Sequence, residues 1–248
     1  MSIGRDVSFI WYGHSAWETR TPGGRRIVFD PFLQNPRSPK RAADLEACDL
    51  LLVSHGHFDH FGDALEIARR FSPAWPCIHE MSLWVASQWA EGGDRVIGMN
   101  AGGTVEAAGI RVTMVPAVHS GSDTTPASGG ETADVPIYLG EPVGFVVELE
   151  NGFLFYYAGD TTLFGDMRLI SELYRPELAF LPIGGHFTMG PREAAYAVEL
   201  LGVKRVAPMH YGTFPILAGT PVELRHELAR RGLRDVEVLA VEPGGTID

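Results

Sequence analysis

His55, His57, Asp59 and His60 stand within six residues of one another, directly after the apolar run Leu50-Leu51-Leu52-Val53-Ser54. Neutral imidazole and carboxylate are donors that divalent first-row metals take, and a strand end followed by a short turn can aim several such side chains at one point. A packed loop tolerates so many titrating groups poorly unless something partners them. The hexapeptide therefore reads as a metal site before it reads as anything else.

Three later residues share a placement. His119 in Pro116-Ala117-Val118-His119-Ser120, Asp160 in Ala158-Gly159-Asp160-Thr161 and His210 in Pro208-Met209-His210-Tyr211-Gly212 each lie just beyond a predicted strand. Ligands at the carboxyl edge of a sheet can converge on one crevice, where loops leave room for a substrate.

The elements that must position these residues can be read from hydrophobic period and turn chemistry. Residues 7–12, 16–19 and 26–29 read as short strands separated by Gly13 and Pro22-Gly23-Gly24, and residues 50–53 as a strand buried on both faces. Residues 62–71 have helical spacing, so the order around the first cluster is strand, ligand loop, helix. A helix over 82–90 and strands over 96–99, 104–107 and 110–115 follow, then a hairpin of 143–149 and 153–158 joined at Asn151-Gly152. Further strands are expected at 178–182, 205–209 and 236–241. Between them, one helix opens at Pro191 and stops at Gly202, and another begins at the capping box Thr220-Pro221-Val222-Glu223. Both halves run from hairpin strands into strand–helix alternation, which points to two layers packed face to face with helices outside. Residues 121–141 are rich in Gly, Ser, Thr and Pro and too long for an ordinary connection, so a flexible binding loop or lid is expected there, beside His119.

Composition narrows the classes. At 248 residues with 45% hydrophobic and 21% charged residues, the chain reads as one α/β domain spanning 1–248 with a large core. The formal net charge of −11 argues against nucleic acid as a substrate, since such binding draws most of its affinity from Lys and Arg. Cys48 and Cys77 form no CxxC pair and read as buried thiols of a cytoplasmic protein; no apolar stretch is long enough to insert into a membrane. The composition leaves a homo-oligomer open.

The ordered set Ser54-His55-Gly56-His57-Phe58-Asp59-His60, His119, Gly159-Asp160-Thr161 and His210 resembles the metallo-β-lactamase superfamily. Gly13-His14-Ser15, Asp30-Pro31-Phe32, Leu181-Pro182-Ile183-Gly184 and Met209-His210-Tyr211-Gly212-Thr213 are similar to a branch of metal-dependent hydrolases near the ascorbate-phosphate lactonases and the N-acyl-phosphatidylethanolamine phospholipases D. The resemblance implies a four-layer αββα sandwich, two mixed sheets with outer helices, and two divalent metal ions at one edge. Zn²⁺ is the first choice for them, with Mn²⁺ or Fe²⁺ as alternatives. It further implies that His55, His57 and His119 hold one metal, that Asp59, His60 and His210 hold the other, and that Asp160 bridges them. Asp59 would also handle the proton of the attacking water, making it catalytic as well as a ligand.

Other residues carry weaker readings. Asp30 could hold a ligand imidazole in its tautomer or simply end a strand, and the resemblance favours the former. His14 reads equally as a support for the site and as a turn residue. His186, on a loop facing the same edge as His210, would bind substrate or protonate a leaving group, although the branch has Asp or Asn around this position. His79 and His226 read as structural or surface residues, and Trp75, Trp84 and Trp89 as packing residues.

The activity expected is hydrolysis of a small-molecule ester-like bond: a lactone, phosphodiester, thioester or amide. A nuclease of the same fold and a non-catalytic metal or ligand sensor are the alternatives. A di-iron redox enzyme fits less well, because such relatives carry glutamate where this chain has His57.

Overall fold

The computed structural model describes residues 3–123 and 136–248, so the centre of the segment read as a flexible loop, residues 124–135, lies outside the described residues. In chain order the elements are β1 (Ser8–Trp11), β2 (Trp17–Arg20), β3 (Arg26–Phe29), β4 (Leu50–Leu52), α1 (Phe58–Phe61), α2 (Ala64–Phe71), β5 (Trp75–Ile78), α3 (His79–Gln88) and β6 (Val96–Met99). There follow β7 (Thr104–Ala107), β8 (Ile110–Pro116), β9 (Ser122–Asp123), β10 (Ile137–Tyr138), β11 (Val143–Glu148) and β12 (Leu154–Tyr157). The last part comprises α4 (Met167–Tyr174), β13 (Leu178–Pro182), α5 (Pro191–Leu201), β14 (Arg205–Met209), α6 (Pro221–Arg230), β15 (Glu237–Val238) and β16 (Thr246–Ile247).

Two mixed sheets form the middle layers. The first runs β16-β1-β2-β3-β4, antiparallel except where β4 lies parallel to β3. The second runs β15-β14-β13-β12-β11-β8-β7, parallel from β15 to β12 and antiparallel beyond. The sheets meet through aromatic side chains: Phe9 packs on Phe155 with ring centroids 5.1 Å apart, Trp17 on Phe180 at 4.9 Å and Phe29 on Tyr157 at 4.7 Å. Each of these rings is almost fully buried, and burying a side chain of this size stabilises the fold by about 1.5–3 kcal/mol. A second apolar cluster lies under α4, α5 and α6, where Met167, Ala194, Val198 and Leu224 cover Val206 and Leu181 of the second sheet. Leu65, Ile67 and Ala68 of α2 and Met81 and Val85 of α3 belong to the larger cluster that includes β4 and β5. The αββα sandwich is the fold observed.

Local chemistry explains most boundaries. Pro191 takes the first turn of α5 after the extended Gly190, and Gly202, with φ +64°, ends it. The Thr220 hydroxyl accepts from the Glu223 N–H at 3.2 Å while the Glu223 carboxylate accepts from the Thr220 N–H at 2.9 Å, the capping box seen in the sequence. Four departures matter. The turn expected after His57 is helical, so Asp59 and His60 ride on α1; helix α4 was not foreseen; His79 opens α3 instead of closing a strand; and the last predicted strand shrinks to β15. His79 and His226 are both exposed, in line with a surface role. The ends of the 121–141 segment pair as the antiparallel ribbon β9–β10. No helix among the described residues is long and apolar enough to cross a membrane.

Candidate metal centre

Five of the seven predicted ligands follow a strand, and the other two lie in the short helix α1. Asp30 follows β3, His55 and His57 follow β4, Asp59 and His60 lie in α1, Asp160 follows β12 and His210 follows β14. His119 follows β8, and its loop is tied to the Asp160 turn by Val118 N–H donating to Thr161 Oγ1 and Thr162 N–H donating to Val118 O, both at 3.0 Å. Two glycines permit the close approach. A methyl group on Gly159, whose φ is +61°, would lie 2.6 Å from Ser54 Cβ, and one on Gly184 would overlap the carbonyl oxygen of His210.

The seven predicted ligands converge. Asp160 Oδ2 lies 2.9 Å from His210 Nε2, 3.2 Å from His60 Nε2 and 3.7 Å from His119 Nε2, which places one carboxylate oxygen among imidazoles from three separate elements. Three groups have donor atoms close enough together to hold an ion: His55, His57 and His119; His14, Asp59, His60 and His210; and His55, His60 and Asp160. The donor set fits a divalent cation for a further reason. His60 Nε2, His210 Nε2 and Asp160 Oδ1 are buried with no aligned hydrogen-bond partner, despite the short separations. Buried polar atoms in folded proteins are as a rule satisfied, and lone pairs aimed at a common point are what a metal requires.

The outer groups fix how these ligands face. Asp30 is fully buried, and its carboxylate accepts from Ser54 N–H, Ser54 Oγ–H and His60 Nδ1–H at 2.7 Å each and from the Tyr157 hydroxyl at 2.8 Å. With Nδ1–H committed to Asp30, His60 turns Nε2 towards Asp160. Ser54 Oγ, having given its proton to Asp30, lies 3.0 Å from His55 Nδ1 and accepts from it, so His55 Nε2 also faces inwards. One carboxylate thus sets a ligand in each half of the centre.

His14 stands closer to the chemistry than its turn position suggests. It is fully buried, its Nε2 lies 2.9 Å from Asp59 Oδ2, and its Nδ1 lies 3.0 Å from Thr213 Oγ1. Burial and the neighbouring His210 push its pKa down to about 4 against the pull of Asp59, so the ring is neutral, donating through Nε2–H and accepting from Thr213. Burial likewise takes His119 down to about 4 and His55 well below the usual imidazole range. His60 and His210 go the other way. Burial opposes their charge, yet Asp160 outweighs it, aided by Asp30 and Asp59 around His60, so His60 is held well above the ordinary value and His210 is raised to about 9. Burial works against Asp160 as an anion, but His210 and His60 keep its pKa well below the carboxylate range.

His186 is not brought to this cluster. It is exposed, it belongs to none of the three donor groups, and its ring packs edge-on against Phe187 with centroids 4.4 Å apart. Phe187 and Phe58, by contrast, belong to the wall of a cavity of about 580 Å³ that includes His57, Asp59, Asp160 and His210. The expectation for His186 mistook a residue beside the wall for one in it. Sequence reasoning missed Ser54, Tyr157 and Thr213 as supports. Tyr157 meets Asp30 across 127 positions, and only the contact between the sheets brings them together.

Comparison with known proteins agrees with this architecture. Residues 25–211 match the beta-lactamase superfamily domain. A UPF0173 metal-dependent hydrolase from Roseiflexus castenholzii is 43% identical over 99% of both chains, and one from Rubrobacter xylanophilus is 47% identical over 94% of this chain and 93% of its own. Among solved structures, Igni18, a metallo hydrolase from the hyperthermophilic archaeon Ignicoccus hospitalis, superposes with a TM-score of 0.81 at 36% identity and 97% coverage of each chain.

Proposed function

Because the chain belongs to the UPF0173 metal-dependent hydrolases of the beta-lactamase superfamily, we propose that its centre takes two divalent metal ions, zinc first among them, and cleaves a small ester-like bond. His55, His57 and His119 hold one ion, Asp59, His60 and His210 hold the other, and Asp160 bridges. The observation that supports this division is the single oxygen, Asp160 Oδ2, set within 2.9–3.7 Å of three histidine Nε2 atoms. Paired divalent ions supply Lewis acidity that brings the pKa of water down from 15.7 to roughly 7 and stabilises a developing oxyanion.

The protein's own groups then have distinct tasks. Asp30 holds His60 directly and His55 through Ser54, so neither ligand ring can rotate away. Burial works against Asp59 as an anion, yet His60, His14 and His210 keep its carboxylate well below the usual range, so Asp59 would orient the attacking water and relay its proton, while His14, braced by Thr213, holds one of its oxygens. Phe58 and Phe187 supply apolar wall for the substrate, a small molecule in keeping with the cavity. A lactone, phosphodiester, thioester or amide carries the carbonyl or phosphorus centre such a site attacks.

Metal analysis of the purified full chain, paired with a hydrolysis panel and an Asp160→Ala variant, tests the reading. Two metals per chain and activity that vanishes in the variant are expected. Reconstitution that stops below one metal, or activity that survives in Asp160→Ala, overturns it.

A further inference from the structure

The wall of the cavity carries a charge pattern that bears on the substrate. The lining residues come from four stretches of chain, those around Phe58, around His119 and Asp160, around Phe187 and around His210. None of these stretches contains a lysine or an arginine: residues 42–68, 112–167, 176–191 and 206–224 lack both. Among the described residues, the cationic side chain nearest in sequence on the β3 side, Arg37, is already paired with Glu242 at 2.9 Å and lies over the Trp11 ring.

Enzymes that take phosphorylated or polyanionic substrates meet the surplus charge with Arg or Lys forks, helix N-termini or further metals. Here Asp30, Asp59 and Asp160 already balance most of the charge that two divalent ions would bring, so little attraction is left for a distal phosphate. Beyond the candidate ligands, the wall holds Phe58, Phe187 and Pro136 with the hydroxyls of Ser120 and Ser122. Phe58 and Phe187 are 44% and 58% exposed, large values for such side chains, and Phe187 is propped by the His186 ring, which gives that histidine a positioning task. An exposed aromatic ring at a cavity wall offers apolar area to a ligand at low entropic cost.

Resting on the hydrolytic reading above, we infer that the substrate is a neutral or cationic carboxylic ester, thioester or lactone whose acyl or aryl group packs against Phe58 and Phe187, and that phosphorylated compounds are rejected. The test compares δ-decanolactone, δ-gluconolactone and the 6-phosphate of δ-gluconolactone with the metal-reconstituted full chain. The decanolactone should exceed the phospholactone in kcat/KM by at least about tenfold. Phe187→Ala should raise KM for decanolactone several-fold with kcat nearly unchanged, and should raise KM for gluconolactone by less. A phospholactone turned over as well as decanolactone, or a preference undiminished by Phe187→Ala, overturns the inference. If no lactone is turned over, the hydrolytic reading fails on these bonds while the binding preference stays measurable by thermal shift. Neutral 4-phenylbutanamide should then raise the melting temperature of the parent but not of Phe187→Ala, and phenyl phosphate should do neither; the reverse order overturns the inference as well.

Discussion

Replacing Asp30 by asparagine should damage both halves of the centre at once. The substitution keeps side-chain size, and asparagine tolerates the φ of +38° found at this position, so backbone strain does not confuse the outcome. What changes is the hydrogen bonding. Three donors, Ser54 Oγ, His60 Nδ1 and the Tyr157 hydroxyl, meet Oδ2, and the Ser54 N–H meets Oδ1. An amide has one acceptor oxygen. If that oxygen faces the three donors, its NH₂ group is driven against the Ser54 N–H, and a buried donor is left unpaired at a cost of about 1–3 kcal/mol. The remaining contacts lose an ionised acceptor and fall from about 1.5–3 towards about 0.5–1.5 kcal/mol each. These losses amount to about 4–7 kcal/mol and are offset in part because a neutral amide is easier to bury than a carboxylate, so a net loss of about 2–4 kcal/mol is expected, or a drop of roughly 5–12 °C in melting temperature for a chain of this length. Because His60 and His55 lose their orientation together, metal affinity should fall by about 10–100-fold. Denaturant unfolding of chelator-treated protein measures the first quantity, and competition with a chromophoric chelator the second. Tyr157→Phe is the control: it removes one donor at a cost of about 1 kcal/mol, leaves the Asp30–His60 contact intact and should keep metal affinity close to that of the parent. An Asp30→Asn protein as stable as the parent and equal in metal affinity would refute the role assigned to this carboxylate.

Other outcomes follow from the same geometry. Chelator-treated protein should lose stability as pH rises: His60 and His210 bind protons more tightly folded than unfolded, so their contribution is complete below about 6.5 and disappears as pH passes through the His210 value of about 9. Calorimetry from pH 7 to pH 9.5 should show the fall without metal and a flatter profile with it; a rise without metal would contradict the shifts. Gly184→Ala forces the His210 carbonyl to move, so metal affinity should drop even though the residue touches no ligand side chain, and a chelator titration matching the parent would count against this. Cys48 and Cys77 are buried and burial pushes both thiols well up, so a thiol reagent should label neither in folded protein and both in denaturant.

The seven ligands were legible because five are metal-binding side chains placed just after a strand and Asp59 and His60 stand close behind the first of them in sequence, relations that survive in one dimension. The sheets were legible for a similar reason: residues 26–29, 96–99, 178–182 and 205–209 match the observed strands, since short apolar runs between turn residues leave little freedom in register. Other features were not visible because they depend on partners far away in sequence. Thr213 is 199 positions from the His14 it braces, and nothing local joins the two. Helix α1 was hidden because His57-Phe58-Asp59-His60 carries its polar ligands where an amphipathic period would place apolar residues. His186 misled because adjacency to a loop at the sheet edge says nothing about which side of that loop faces the cavity.

His14, Asp30 and His210 share a backbone property besides their chemistry: φ values of +55°, +38° and +53°. A left-handed backbone costs an L-residue about 1–2 kcal/mol relative to the right-handed region, and glycine would escape most of that penalty. The fold therefore keeps three of its working side chains on strained backbone; at Asp30 four accepted hydrogen bonds and at His210 the contact with Asp160 outweigh that strain, and His14 has the least to set against it. A population of variants chosen only for heat resistance should drift to glycine or asparagine at His14 before Asp30 or the core changes. The order in which residues are lost would then separate the part of the sequence maintained by folding from the part maintained by turnover.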